Sequence, residues 1–469
     1  MFAHAQPKAQ PSINQLVPVF NTVVSTQVIC NSVEISQKRS YKRLYTPLVL
    51  IWCLVFQRLN NDHSCDAVVS YVGSGAIDGL DDQHQQPISQ RIKSESNSGF
   101  CQARQRLPLT ALQATVLQTG QRIQQCLGEK ALWLGQHLVV LLDGTTILLH
   151  PETNLVQHYG QHANQHGPCY WVEMRVLAAF SLLTGALLGV QDGSLHESEQ
   201  SLAKDVLSQL PPDSVCVGDS NFGVFSVAQA ARHYSQLVLF RLTASRAQAL
   251  SKRKMQSGED IAMQWEHSDD DKLDPNMSTA PITGRLLYVR LERDGFRPVD
   301  LYFFTTLLDV SLYTATELVA LYGKRWHVEL NLRYVKATLD MGLLAGKSVD
   351  VVRKELCAGM LAYNLIRAFM VLAAQKANLS PLALSFTKSW RRIQHALAVL
   401  HCTMTTHHIA KVIQNLISRL AKCKLAERLR FRIEPRAVRR RPDAYPFLKG
   451  SRAGARQRLR EQLQCTMKS

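Results

Sequence analysis

The chain has 469 residues, with 54 Lys and Arg against 37 Asp and Glu, a formal net charge of +17. That length allows a large central domain with one or two smaller ones, and the basic excess favours a polyanionic partner, nucleic acid ahead of an anionic membrane surface, over a neutral small molecule. The 11 cysteines are scattered without a C-x-x-C pair, which indicates neither a disulfide framework nor a zinc knuckle and fits a reducing cytosol.

Residues 1–36 mix Gln, Pro, Val and Ser without a firm period and read as a loosely ordered start. They lack the basic start and apolar block of a signal peptide. From residue 38 a basic run leads into an apolar helix; its most apolar part, 48–56, is too short to cross a bilayer. The stretch to residue 134 is mostly helical in character, which makes 37–134 a helical N-terminal domain expected to bind DNA. Within it Ser98 is a candidate helix N-cap, and Arg104 and Arg106 are candidate exposed phosphate contacts, against the plain alternative of a surface helix.

Between residues 137 and 240 the texture becomes three strands, helix, strand, helix, strand. HLVVLLDGTTILL reads as a strand, a tight Asp-Gly turn and a second strand, with Asp143 closing the first; VEMRVLAAFSLLTGALLGV reads as a strand pair joined at Thr184-Gly185. After a helix that stops at Pro211-Pro212, SVCVGD is a short buried strand that ends at Asp219. Residues 244–313 then form an inserted β element, with Asp269, Asp270 and Asp271 in a polar stretch and a hairpin turned at Asp294-Gly295. Residues 314–342 are predicted as one long amphipathic helix capped by Thr314 or Thr316, followed by helices over 351–377 and 381–421. Residues 421–469 carry 15 Lys or Arg and four acids, a net of 15 − 4 = +11, which reads either as a solvated terminus or as a backbone-phosphate contact zone.

Tyr322, Arg325, Glu329 and Lys336 are spaced by three, four and seven, so a straight helix would carry them along one stripe, an acid held among bases. Asp143 and Asp219 together with Glu329 give three carboxylates from separate elements. Carboxylates so placed hold two Mg²⁺ ions about 4 Å apart, one activating a water or 3′-hydroxyl and the other the leaving oxygen. Arginine on the stripe clamps phosphate bidentately, lysine adds a point charge, and Tyr322 offers a hydroxyl or a stacking face. Taken singly, each acid has an ordinary reading: a turn at Asp143, a strand-end cap at Asp219, and a surface ion pair of Glu329 with Arg325 and Arg333. Competing sites are weaker. His158, His162 and His166 are separated by Gly160 and followed by Gly167-Pro168, which oppose a helix that would align them, and no GxxxxGK[ST] phosphate loop is present.

On these residues the chain resembles the DDE transposases of bacterial insertion sequences, the insertion-sequence-four group, whose Y-(2)-R-(3)-E-(6)-K signature is intact. LLDGTT around Asp143 and GDSNFGVF around Asp219 resemble the group's aspartate motifs, and SGFCQARQRLP and EPRAVRRRPDAYPFL resemble its flanking regions. The resemblance implies an α/β fold: an RNase H-like catalytic core over 135–243 and 314–375, a β-strand insertion at 244–313 between the second Asp and the Glu, and helical flanks at 37–134 and 376–469. It implies Asp143, Asp219 and Glu329 as catalytic metal ligands for two Mg²⁺, with Mn²⁺ able to substitute, and Tyr322, Arg325, Arg333 and Lys336 as DNA contacts. The implied partners are terminal inverted repeats and target DNA, bound by a homodimer in the bacterial cytosol with no membrane involved. Some relatives hold a flipped base on an insertion tryptophan; here that insertion offers Trp265, well before the late hairpin with Tyr302, Phe303 and Phe304. Two other readings share the residues: an RNase H-like nuclease that does not join strands, and a non-catalytic DNA-binding derivative.

Overall fold

The structure is a computed structural model that describes residues 44–78, 86–165, 167–268, 275, 277–292, 298–401, 406–425 and 450–466. The expected loose start, His166, the aspartates at 269–271, the turn at 294–295 and the EPRAVRRRPDAYPFL segment lie outside the described residues. The chain divides into two units, one of residues 1–289 and 301–426, the other of residues 290–300 and 427–469. In the second unit, helix Arg452–Thr466 forms and Arg290 pairs with Asp300 at 3.3 Å.

The described part of the first unit opens with the helices α1 (Pro47–Leu59), α2 (Cys65–Gly73), α3 (Ser98–Arg106) and α4 (Leu109–Leu127). Thr46 and Ser64 cap the first two through their hydroxyls, and Pro47 sits at the first turn, where its missing N–H costs nothing. Ser98 is the first residue of α3 rather than its cap; that position falls to Asn97.

Strands β1 (Val139–Leu149), β2 (Val172–Ser181) and β3 (Leu187–Gly193) form an antiparallel meander, interrupted after β1 by α5 (Thr153–Tyr159). Then come α6 (Glu199–Ser208), β4 (Val215–Gly218), α7 (Phe225–His233), β5 (Leu237–Leu242) and α8 (Ala244–Ser251). The predicted order of three strands, helix, strand, helix, strand is thus present apart from α5, an unpredicted helix between the first two strands. β6 (Asp260–Trp265), β7 (Ile282–Leu291) and β8 (Val299–Thr305) follow between Asp219 and Glu329 and continue the same sheet, in the order β3-β2-β1-β4-β5-β8-β7-β6. The result is a mixed α/β architecture in which β4 and β5 run parallel to β1.

One prediction fails at the first aspartate. No turn occurs at Asp143-Gly144; β1 runs unbroken through them, with Asp143 opposite Ala178 and Gly144 opposite Leu177 on β2. Asp143 therefore lies mid-strand rather than at a strand end. On its other edge β1 pairs with β4 over Val139, Val140 and Leu141, and with a two-residue strand β9 (Leu343–Leu344) at Leu148 and Leu149. Between them, residues 142–147 have no strand partner on that edge among the described residues.

Alternation sorts β1 onto two cores. Val139, Leu141, Ile147 and Leu149 face a cluster shared with α1 and the long helix α11 (Val349–Lys376); Val140 and Leu142 face a second cluster built from α6, α7 and β5. The N-terminal helices thus share a core with α11 rather than closing one of their own. By length and composition α11 could span a bilayer, a feature the sequence reading did not single out, but 94% of its apolar window is buried inside the protein. Its apolar surround is the protein core, since α4, α1 and the helices α12 (Phe386–His401) and α13 (Thr406–Ala421) pack on it.

The helix predicted over 314–342 is not continuous. It forms α9 (Ala315–Gly323), started by Thr314 in a capping box with Glu317, then α10 (Trp326–Arg333) and a π-helical turn Tyr334–Thr338. At the junction the hydrogen bonds tighten to i→i−3, as Arg325 N–H donates to Tyr322 O and Val328 N–H to Arg325 O. The periodicity of apolar residues predicts a helix well but is blind to these one-residue changes of winding.

Candidate active site

The parallel pairing of β1 with β4 brings the two aspartates together. Leu141 lies opposite Val217 in the last pair of that ladder, and two residues on stand Asp143, still within β1, and Asp219, just past the end of β4, close enough for the Asp219 charge to act on the Asp143 carboxyl. By alternation Asp143 shares the face of Leu141, the face that α10 also packs against through Val328 and Leu332. This is how residues 76 positions apart in sequence converge, 219 − 143 = 76.

Arg325 completes the link to the third acid. Its guanidinium lies 3.4 Å from Asp143 Oδ2 and donates to Glu329 Oε1 at 2.6 Å, one turn along the helix. Burial works against the Arg325 charge, but Tyr322, Asp143 and Glu329 outweigh it and hold the guanidinium above its ordinary value. Tyr322 is half-buried and meets the Phe303 ring edge to face at 4.8 Å. Arg333 is exposed, Lys336 sits on the π turn, and neither forms an ion pair among the described residues.

Asp143 is the stressed member. Burial pushes its carboxyl up to about 6, with Asp219 and Glu199 adding to the shift, while Arg325 and the Gly144 N–H that donates to Oδ1 at 3.0 Å oppose it. Excess negative charge gathered among oxygen donors suits a hard divalent cation. Among the described residues no group of three His, Cys, Asp or Glu is drawn close enough to hold a metal ion, because Glu329, 58% exposed, is turned to Arg325. The donor types suit such an ion, with Asp143 and Asp219 near each other and Glu329 engaged by an arginine.

A sign follows for the metal-free protein. Asp143 titrates higher folded than unfolded, so its neutral form favours folding below about pH 4, and that contribution is lost as pH rises through 6. Asp143→Asn should stabilise the protein at pH 7.5 by roughly 1–2 kcal/mol, seen as a higher melting temperature, a gain kept below the full cost of a carboxyl pushed up to about 6 because Arg325 loses a partner. The gap should close on lowering the pH to 4.5; a variant less stable than wild type at pH 7.5 contradicts the assignment of strain to Asp143.

Several supporting residues carried no sequence signal. Arg367, 2% exposed on α11, donates to Asn331 Oδ1 of α10 at 2.6 Å and to the Tyr363 hydroxyl at 2.9 Å. Its guanidinium lies 5.2–5.7 Å from the centroids of the Tyr334, Tyr363 and Phe386 rings, a cation held by ring faces rather than by a carboxylate. It ties α10 to the core. Glu199 and Asn221 stand beside the aspartates, joined by a 2.7 Å hydrogen bond, and Arg246 holds the loop after Asp219 by donating to Gly223 O at 2.6 Å.

Other candidates disperse. Arg104 is not an exposed phosphate contact: it pairs with buried Glu355 at 3.4 Å and its side chain is 14% exposed, because α3 turns that edge towards α11. Arg106 is exposed. His158 bonds Arg353 at 3.2 Å while His162 pairs with Glu173 at 3.3 Å, so these two do not converge. Trp265 is 4% exposed, packed between Phe225 and Phe304, and offers no face to a base.

Comparison with known proteins adds three findings. The transposase DDE domain family matches residues 134–365, which contain both aspartates and the whole Tyr-Arg-Glu-Lys series. The transposase InsG for insertion sequence element IS4 of Escherichia coli (strain K12) is 26% identical over 360 residues, covering 74% of this chain and 78% of that protein. Among solved structures, a piggyBac transposase synaptic complex with hairpin DNA matches 86% of this chain and 85% of its own at 11% identity, with a TM-score of 0.42.

Proposed function

The chain belongs to the DDE transposases of the insertion-sequence-four family, and from that premise we propose that it binds the terminal inverted repeats of an insertion sequence, cleaves at them, and joins the freed 3′ ends to target DNA. The observation that carries this reading is the meeting of Asp143 on β1 with Asp219 just past the end of the parallel strand β4, with Arg325 bridging from Asp143 to Glu329.

The family uses divalent ions, and Asp143, Asp219 and Glu329 are the side chains that would hold them, two Mg²⁺ per site or Mn²⁺ in their place. Bound there, the ions supply activation of the attacking oxygen and charge neutralisation at the leaving one. The rest falls to the chain itself. Arg325 neutralises the carboxylates in the absence of DNA, and its planar fork would suit a backbone phosphate near the scissile bond. Arg333 and Lys336, free of acidic partners among the described residues, extend that cationic face along the strand, and Tyr322 flanks it with a hydroxyl. Paired ends call for a homodimer, each protomer bringing one active site to one repeat. The RNase H-like character of the core is supported by the β3-β2-β1-β4-β5 order with β2 antiparallel to its neighbours.

Purified protein with Mg²⁺ should insert a repeat-ended oligonucleotide into a supercoiled plasmid. Strand cutting without any joined product would leave the nuclease reading in its place. Lys336→Ala should weaken binding to repeat DNA and reduce the slope of log K against log salt by about one phosphate contact. An unchanged slope would remove Lys336 from the DNA face.

A further inference from the structure

We propose that Glu199 is a positioning residue for the two aspartates, one that sets their geometry from the opposite side of the sheet. The inference rests on reading Asp143 and Asp219 as metal ligands. Glu199 opens α6, whose N-cap Ser198 accepts from Ser201 N–H, and α6 packs on the face of the sheet away from α10. From that side its carboxylate reaches both catalytic strands.

On β1 it meets Gly144, the residue after Asp143. A Cβ at position 144 would overlap the Glu199 carboxyl group, so only glycine lets the carboxylate lie against the strand there. On the β4 side Glu199 Oε2 accepts from Asn221 Nδ2 at 2.7 Å, and the backbone N–H of the same Asn221 donates to Asp219 Oδ1 at 2.9 Å. Gln200, the next residue of α6, donates to Asn221 O at 2.8 Å. The first turn of α6 thus grips the loop that aims Asp219 and abuts the residue that follows Asp143. Carboxylates that share metal ions need placement to about 0.5 Å, which their own backbones at a splaying strand pair do not supply alone.

An acid in the first turn of a helix also has an ordinary use, attraction to the helix dipole. That use depends on charge and is indifferent to Asn221, which separates the two roles experimentally. Glutamine at 199 keeps the acceptor for Asn221 and the shape against Gly144 while losing the charge; alanine loses all three.

The test is Mg²⁺-dependent cleavage of a repeat-ended duplex, beside Mn²⁺ affinity measured by titration calorimetry on the full chain. Glu199→Ala should lower both by about 10-fold or more, the range found when a residue that orients a metal ligand is lost, with repeat binding unchanged. Glu199→Gln should stay within about threefold of wild type. Asn221→Ala, which breaks the same hydrogen bond from its other end, should reproduce the Glu199→Ala loss even if that variant fails to fold. Wild-type cleavage and Mn²⁺ affinity in Glu199→Ala or Asn221→Ala overturn the inference, as does a glutamine variant as impaired as the alanine one. Wild-type protein that neither cuts nor binds Mn²⁺ overturns the reading of the aspartates as ligands, and this inference with it.

Discussion

Asp219→Asn should leave binding to terminal-repeat DNA near wild type while lowering Mg²⁺-dependent cleavage at least about 1,000-fold, since a neutral amide removes both the charge and one donor oxygen from a site that stabilises developing charge. The substitution is nearly isosteric, and Asn at 219 keeps an oxygen for the Asn221 N–H that now donates to Asp219 at 2.9 Å. The loop geometry should therefore survive, and the loss should be chemical. Gel-shift and cleavage assays on one repeat duplex separate the two effects. Cutting by the variant at the wild-type rate would remove Asp219 from the site; loss of binding in parallel with cutting would move its role to DNA recognition.

Glu355→Ala should destabilise the protein by roughly 3–5 kcal/mol, the cost of stranding buried charge when one partner of a buried pair is removed. Glu355, in the second turn of α11, is 3% exposed. It pairs with Arg58 of α1 and Arg104 of α3 at 3.4 Å each, and its Oε2 accepts from the backbone N–H of Ala345 and Gly346 at 3.1 Å. Next to it, buried Lys354 donates to the carbonyls of Arg104 and Gln105 at 3.1 and 2.9 Å, capping the end of α3. One acid thus joins two N-terminal helices to the chain that leaves the catalytic region. Chemical denaturation of the variant should show a lower midpoint with one transition, because these parts share a core; two separated transitions would mean that the N-terminal helices fold independently.

Much of this arrangement was legible in the sequence. Runs of alternating or continuous apolar residues located the strands between 139 and 242, apart from the false turn at Asp143-Gly144 and the unplaced α5, and the spacing of Tyr322, Arg325, Glu329 and Lys336 singled out the segment that forms α9, α10 and the π turn. Thr314 followed by Glu317 announced the helix start. The misreadings have a common cause: one residue type serves different physical ends. Gly144 after an aspartate has the composition of a turn, yet it is small because a carboxylate from α6 lies against it. Arg104 on a short polar helix has the composition of a surface contact, yet its partner Glu355 is 251 residues away. Arg367 lies in the apolar helix α11 with no acid partner, and only the fold brings three rings around it. Such long-range pairings leave no local pattern.

The gap along β1 has a further consequence. A central strand ordinarily has every amide locked on both sides, but β1 loses its neighbour where β4 departs and regains one only at β9. Leu148 N–H donates to Gly342 O across that edge, so by alternation the amide of Thr146 points into the same opening, while that of Gly144 donates to Asp143 Oδ1. Hydrogen exchange there should be set by local opening rather than by global unfolding, a fast-exchanging island inside the slowest strand of the protein. Anything that comes to lie in the notch, a cation or a DNA backbone, would register as slowed exchange at the Thr146 amide, giving a reporter of site occupancy that requires no chemistry to occur.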